Sequence, residues 1–158
     1  MTKEEKQQFT LRISQANSTQ LVVILYEMLL SYLKEAREEL ETENRPGFHE
    51  AVRKARGCLN ELLQSLHLEY EPAPALRQLY LFCIRRLAIG EAKENMAPLE
   101  EIEKVINPLQ DAYARIAVQN NAGPVMENSQ AVYAGLTYGR NTLTENMADQ
   151  GANRGMYV

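Results

Sequence analysis

Apolar residues along this chain recur at intervals of three and four over four long stretches, the period of a helix with a buried face. In the first stretch, Leu21, Ile24, Leu25, Met28, Leu29, Tyr32 and Ala36 fall on one face of a helix predicted from Ser18 to Glu41. Asn17 precedes it and Gln20 follows three residues later, the pattern of a capping box in which each side chain satisfies the other's backbone N–H. Val23, Tyr26 and Leu30 form a second stripe on another side. A helix that is apolar on more than one side must bury more than one side. It does so either centrally in a bundle or by offering a groove to a partner, and periodicity alone leaves both open.

Asn44-Arg45-Pro46-Gly47 predicts a turn. A second helix follows to about His67, with Phe48, Val52, Ala55, Leu59, Leu62 and Leu66 as a narrow seam suited to one antiparallel neighbour. Glu71-Pro72-Ala73-Pro74 breaks the chain again. The third helix is predicted over Ala75 to Ile89 with its stop at Gly90. Its main face is Leu76, Leu79, Tyr80, Cys83, Ile84 and Leu87; Phe82 and Ile89, seven apart, make a second stripe. The fourth begins near Pro98, a residue tolerated in a first turn. Leu99, Ile102, Ile106, Leu109, Tyr113 and Ile116 form its face, and Pro108, which removes the hydrogen bond to the Lys104 carbonyl, predicts a kink.

Four helices with short connections prefer antiparallel neighbours, so the fold predicted for residues 17–118 is an all-α, antiparallel four-helix up-and-down bundle. Residues 1–16 are polar with scattered apolar positions (Phe9, Leu11, Ile13, Ala16) and read as an N-terminal arm or short helix. Residues 119–158 hold five of the eight glycines, yet Tyr133, Leu136, Tyr138, Leu143 and Met147 are interleaved among them. Thr142-Leu143-Thr144-Glu145 matches a capping box and predicts one short helix within this tail.

Composition narrows the function. With 158 residues a single domain is expected. A net charge of −4 and a pI near 5.3 argue against nucleic acid, which needs clustered Lys and Arg, and against a polybasic membrane anchor. The apolar run Leu21–Tyr26 falls far short of the roughly 18 residues of a membrane span. The first six residues contain no apolar run, so no export signal is expected and the chain reads as cytoplasmic. Cys58 and Cys83 sit inside apolar helical patterns and read as buried thiols. The residues three before His49 and His67 are Pro46 and Gln64, so no Glu-x-x-His pair exists for a di-iron bundle. There is no Cys-x-x-Cys and no Gly-rich phosphate loop. No catalytic set, metal site or cofactor is expected, and the chain does not read as an enzyme.

What remains is surplus apolar surface. The two second stripes, Val23, Tyr26 and Leu30 with Phe82 and Ile89, are the candidate binding groove, since a bundle groove receives a helix through anchors three, four and seven apart. Leu136, Leu143 and Met147, with Tyr133 and Tyr138, give the tail the anchors of a tethered groove-filler, an autoinhibitory role favoured by high effective concentration.

The segment Gln15-Ala16-Asn17-Ser18-Thr19-Gln20-Leu21-Val22-Val23-Ile24-Leu25-Tyr26-Glu27 resembles the opening helix of the FliS family of flagellin export chaperones. That family shows Thr-Ala-Ser-Pro, then Leu-Val, then Leu-Tyr-Asp-Gly, and Leu25-Tyr26-Glu27 matches the last motif with Glu for Asp. Leu79-Tyr80 followed by Arg85-Arg86-Leu87 resembles its third helix, and Leu109-Gln110-Asp111-Ala112-Tyr113 its fourth, with Tyr where Trp is usual. Ser18 and Met28 stand where the family has Pro and Gly. The resemblance spans about residues 15–117 and implies a mechanism. Such a chaperone binds the C-terminal segment of unpolymerised flagellin, prevents its assembly in the cytoplasm and delivers it, once loaded, to the flagellar type III export gate. The alternative is a non-catalytic helical adaptor or scaffold that homodimerises through the same stripes.

Overall fold

The computed structural model describes residues 1–67 and 72–119, and among them all regular structure is helical. The helices are α1 (Lys3–Gln15), α2 (Ser18–Glu41), α3 (Arg45–Gln64), α4 (Ala73–Lys93) and α5 (Ala97–Gln119). The tail positions Tyr133, Leu136, Tyr138, Leu143 and Met147 lie outside the described residues.

Local signals set most of the boundaries. Asn17 accepts from the Gln20 N–H at 2.8 Å while the Gln20 side chain accepts from the Asn17 N–H at 3.0 Å, so the expected capping box forms and α2 starts where predicted. Asn44 caps α3 by accepting from the Gly47 N–H, with Pro46 in the first turn. α5 begins at Ala97 with Pro98 in its first turn and runs unbroken through Pro108. Pro108 and Lys104 are both exposed, so the carbonyl that Pro108 leaves unbonded lies on the wet side of the helix.

α3 ends at Gln64, short of the expected end near His67. Of the two readings for residues 1–16, arm or short helix, the helix forms, over Lys3–Gln15; it is opened by Thr2, whose hydroxyl accepts from the Glu5 N–H, and by Glu4 and Glu5 in the first turn. α4 does not stop at Gly90 but continues to Lys93, ending where Glu94 adopts the left-handed φ of 48°. Gly90 is buried inside the helix because α5 packs directly on it. A Cβ there would collide with Leu99 Cδ1 and lie 3.0 Å from the Asn95 carbonyl oxygen. The missing side chain therefore serves a close helix–helix approach, not a helix end. Gly90→Val is expected to cost about 1–3 kcal/mol by overpacking this corner. A denaturant melt with an unchanged midpoint would contradict the close approach.

The long helices form a ring in which α2 packs on α3 and α5, and α4 packs on α3 and α5. Side-chain contacts between neighbouring helices pair the late part of one with the early part of the other. Arg37 of α2 bonds Glu100 and Glu103 of α5, while Glu27 reaches Gln110. His49 of α3 meets Glu91 and Glu94 of α4, and Arg86 of α4 meets Glu101 of α5. Leu29, Leu33, Phe48, Leu59, Leu62, Leu87, Leu99, Ile102 and Ile106 fill the space between, all fully buried. Cys58 and Cys83 are buried free thiols, pushed up to about 12 by burial, as befits small hydrophobes. No described helix is long and apolar enough to cross a membrane.

Candidate functional site

Where the two second stripes lie decides whether they make one groove. Tyr26 is fully buried. Its hydroxyl is 2.6 Å from that of Tyr80, and its ring packs edge-on against Tyr113. α2 and α4 face each other across the ring, so this tyrosine pair spans the core from one to the other. The expectation that Tyr26 stands off the core is thereby corrected. α2 is apolar on several sides because it has three helical neighbours, α1, α3 and α5. Val23 is buried and Leu30 half-buried, both on α2. Phe82 is half-buried and Ile89 is 37% exposed, both on α4. The five residues are not brought into one groove: three belong to α2 and two to α4, on opposite sides of the ring.

A different site emerges around Val23. A hollow of about 320 Å³ opens where the end of α1, the start of α2 and the end of α5 converge. Val23, Ile24, Ala114 and Ala117 supply its apolar lining, and Arg12, Gln15 and Gln20 supply polar groups. The hollow exists because Ala114 and Ala117 carry no side chain beyond Cβ. In sequence they read as ordinary helix formers, and no signal marked them. Ile116, 49% exposed, and Val118, 84% exposed, are further apolar residues in the last turn of α5 and lie outside the hollow's lining.

α1 covers one side of this hollow. It packs on α2 alone among the helices, and none of its residues is buried. Phe9 and Ile13 lie half-buried against the core cluster. Arg12 stacks 5.7 Å from the Phe9 ring centroid and forms an ion pair with Glu27 of α2. Gln110 of α5 approaches the same carboxylate at 3.5 Å, so Glu27 ties α1, α2 and α5 together. A half-exposed ion pair of this kind contributes at most about 1 kcal/mol. A helix of 13 residues is marginal alone in water, so docking is what keeps α1 helical.

Among the described residues no group of three or more His, Cys, Asp or Glu side chains is placed to hold a metal ion. The lining is aliphatic with one guanidinium and two amides, a surface that takes an apolar side chain and orients polar backbone at its rim.

Comparison with known proteins places the chain. It is similar to the flagellar secretion chaperone FliS of Bacillus subtilis (strain 168), 24% identical over 108 residues that cover 68% of this chain and 80% of that protein. The family described as flagellar protein FliS matches over residues 1–120, which takes in all five helices and excludes the tail. The chain therefore belongs to the FliS family.

Proposed function

We propose that this protein is a cytoplasmic flagellar export chaperone. It holds the C-terminal segment of flagellin, keeps it from polymerising, and hands it to the flagellar type III export gate. The observation that carries this reading is the apolar hollow at Val23, Ile24, Ala114 and Ala117, covered by a helix that buries none of its own residues. A client helix with an apolar face replaces such a cover by burying more apolar area, each Å² contributing about 25 cal/mol. Ile89 and Phe82, on the far side of the ring, suit a client long enough to wrap the bundle and touch it at separate places. The work requires no cofactor.

The tail has a role in the same reading. It leaves α5 at Gln119, two residues beyond Ala117, so it is tethered at the hollow's rim. Tyr133, Leu136, Tyr138, Leu143 and Met147 then compete with the client at high effective concentration. Calorimetric titration of the full chain with the C-terminal segment of flagellin tests the function, with saturable one-to-one binding expected. Lack of any binding overturns it. In the same titration, deletion of residues 124–158 is expected to tighten binding, and unchanged affinity removes the tail from the mechanism.

A further inference from the structure

α3 and α4 share the least extensive of the ring's four seams, and one end of it is fastened by charge. Five side chains form a chain of alternating sign there: Arg45, Glu94, His49, Glu91, Arg56. Arg45 Nη1 lies 3.3 Å from Glu94 Oε1, His49 Nε2 lies 3.2 Å from Glu94 Oε2, and His49 Nδ1 lies 3.1 Å from Glu91 Oε2. Arg56 closes the chain on Glu91 Oε1. Three links come from α3 and two from the end of α4, where Glu94 is also the left-handed residue that terminates the helix. Other charged groups at this corner include Lys93 in the last turn of α4, the exposed Glu50–Arg53 pair on α3, with Lys54 and Lys6 near Glu50, and Glu39 of α2, which accepts from the Asn44 side chain beside the first turn of α3. The Phe48 ring packs edge-on against the imidazole at 5.5 Å.

We propose that this chain is a pH-operated clamp that closes the α3–α4 seam and steadies the turn into α5, with His49 as its moving part. Both ring nitrogens face carboxylate oxygens, and only the imidazolium donates from both. A neutral ring donates from one nitrogen and turns the lone pair of the other toward a carboxylate. Of the side-chain types in this chain, only imidazole ordinarily changes charge near neutrality, so His49 is its pH-sensitive member. Hydrogen bonds to Glu91 first, then to Glu94, raise its pKa above the ordinary 6.5. Burial works against the Glu91 carboxylate, yet Arg56 and His49 hold it below the usual range. A raised histidine contributes stability that is complete below 6.5 and is lost as the pH climbs through its own higher midpoint. The clamp is therefore closed on the acid side of neutrality and opens on the alkaline side.

Two measurements on the full chain test this. The first follows the His49 ring signals by NMR, assigned with His49→Gln, as pH is raised from about 5.5 to 9; a midpoint above 6.5 is expected. The second compares thermal midpoints of the wild type and His49→Gln at both ends of that range. The wild-type advantage is expected to shrink toward the alkaline end, with amide exchange in residues 90–96 rising several-fold in the wild type alone once the pH change in intrinsic rates is removed. A His49 midpoint at or below 6.5 overturns the clamp, as does an advantage equal at both ends. Glu94→Gln, which leaves the histidine in place, should lower the His49 midpoint. If it does not, the contact seen at Nε2 does not hold the proton.

Discussion

Tyr26→Asp is expected to unfold the protein, while Ile89→Asp leaves it folded. Both residues lie on second apolar stripes, so the sequence pattern treats them alike; their surroundings differ completely. Tyr26 is fully buried, with its hydroxyl against Tyr80 and its ring against Tyr113. Removing a buried ring of this size costs about 3–5 kcal/mol before any charge is considered. The new carboxyl must then be buried charged or be neutralised, and either adds to the loss. Small domains hold only about 5–15 kcal/mol in total. A drop in thermal midpoint of at least ~10 °C by circular dichroism is therefore expected for Tyr26→Asp. Ile89 is already 37% exposed, and a substitution there should stay within about 1 kcal/mol. A Tyr26→Asp variant that melts like the wild type would mean that the tyrosine pair does not span the core.

Ala117→Phe is the second large effect, and it falls on binding rather than folding. Ala117 lines the hollow of about 320 Å³, and a phenyl group added there would project into that space. Filling an apolar hollow adds buried area, so the thermal midpoint should hold or rise. The space that a client side chain would enter is then taken. Affinity for the flagellin C-terminal segment is expected to fall at least tenfold, about 1.4 kcal/mol. Unchanged affinity with an intact fold would move the client site away from the α2–α5 hollow. The same variant separates the hollow from the outer face of α4. If Ile89→Asp weakens binding and Ala117→Phe does not, the client path runs along α4.

Sequence reading and structure agree where the determinants are local. The bounds of α2 follow from Asn17, Gln20 and an unbroken apolar period, and both capping bonds form. The seam of α3 is likewise buried from Phe48 to Leu62. Agreement fails where a neighbour decides. Gly90 reads as a stop because glycine ends helices, but here it admits Leu99 of α5, a contact 9 residues away around a turn. Residues 3–15 leave arm and short helix open in the sequence because they are polar with scattered apolar positions, and docking on α2 decides for the helix. Val23, Tyr26 and Leu30 were separable as a stripe, but the number of neighbours around α2 decided their burial, and one of those neighbours was the arm itself. The hollow was illegible for a simpler reason. It is made by the shortness of Ala114 and Ala117, and a missing side chain leaves no hydrophobic signal at its position.

The corner between α1 and α2 has a consequence for how the cover leaves. Only Ala16 and Asn17 separate the two helices, both buried and both in extended conformation. Helix formation is cooperative along an unbroken run of helical residues. That run is interrupted here, and α2 secures its own first turn through Asn17 and Gln20 without calling on any residue of α1. Melting of α1 therefore halts at Ala16 instead of propagating into the core helix. The two helices act as separate thermodynamic segments joined by a fixed pivot. The first can cross between helix and coil on the sub-microsecond to microsecond scale typical of short peptides, roughly 0.1–1 μs, while the bundle beneath keeps its shape. In the proposed mechanism, opening of the hollow would draw on the docking of these 13 residues and on the pairing of the Met1 ammonium with Glu35, not on the packing between α2 and α5.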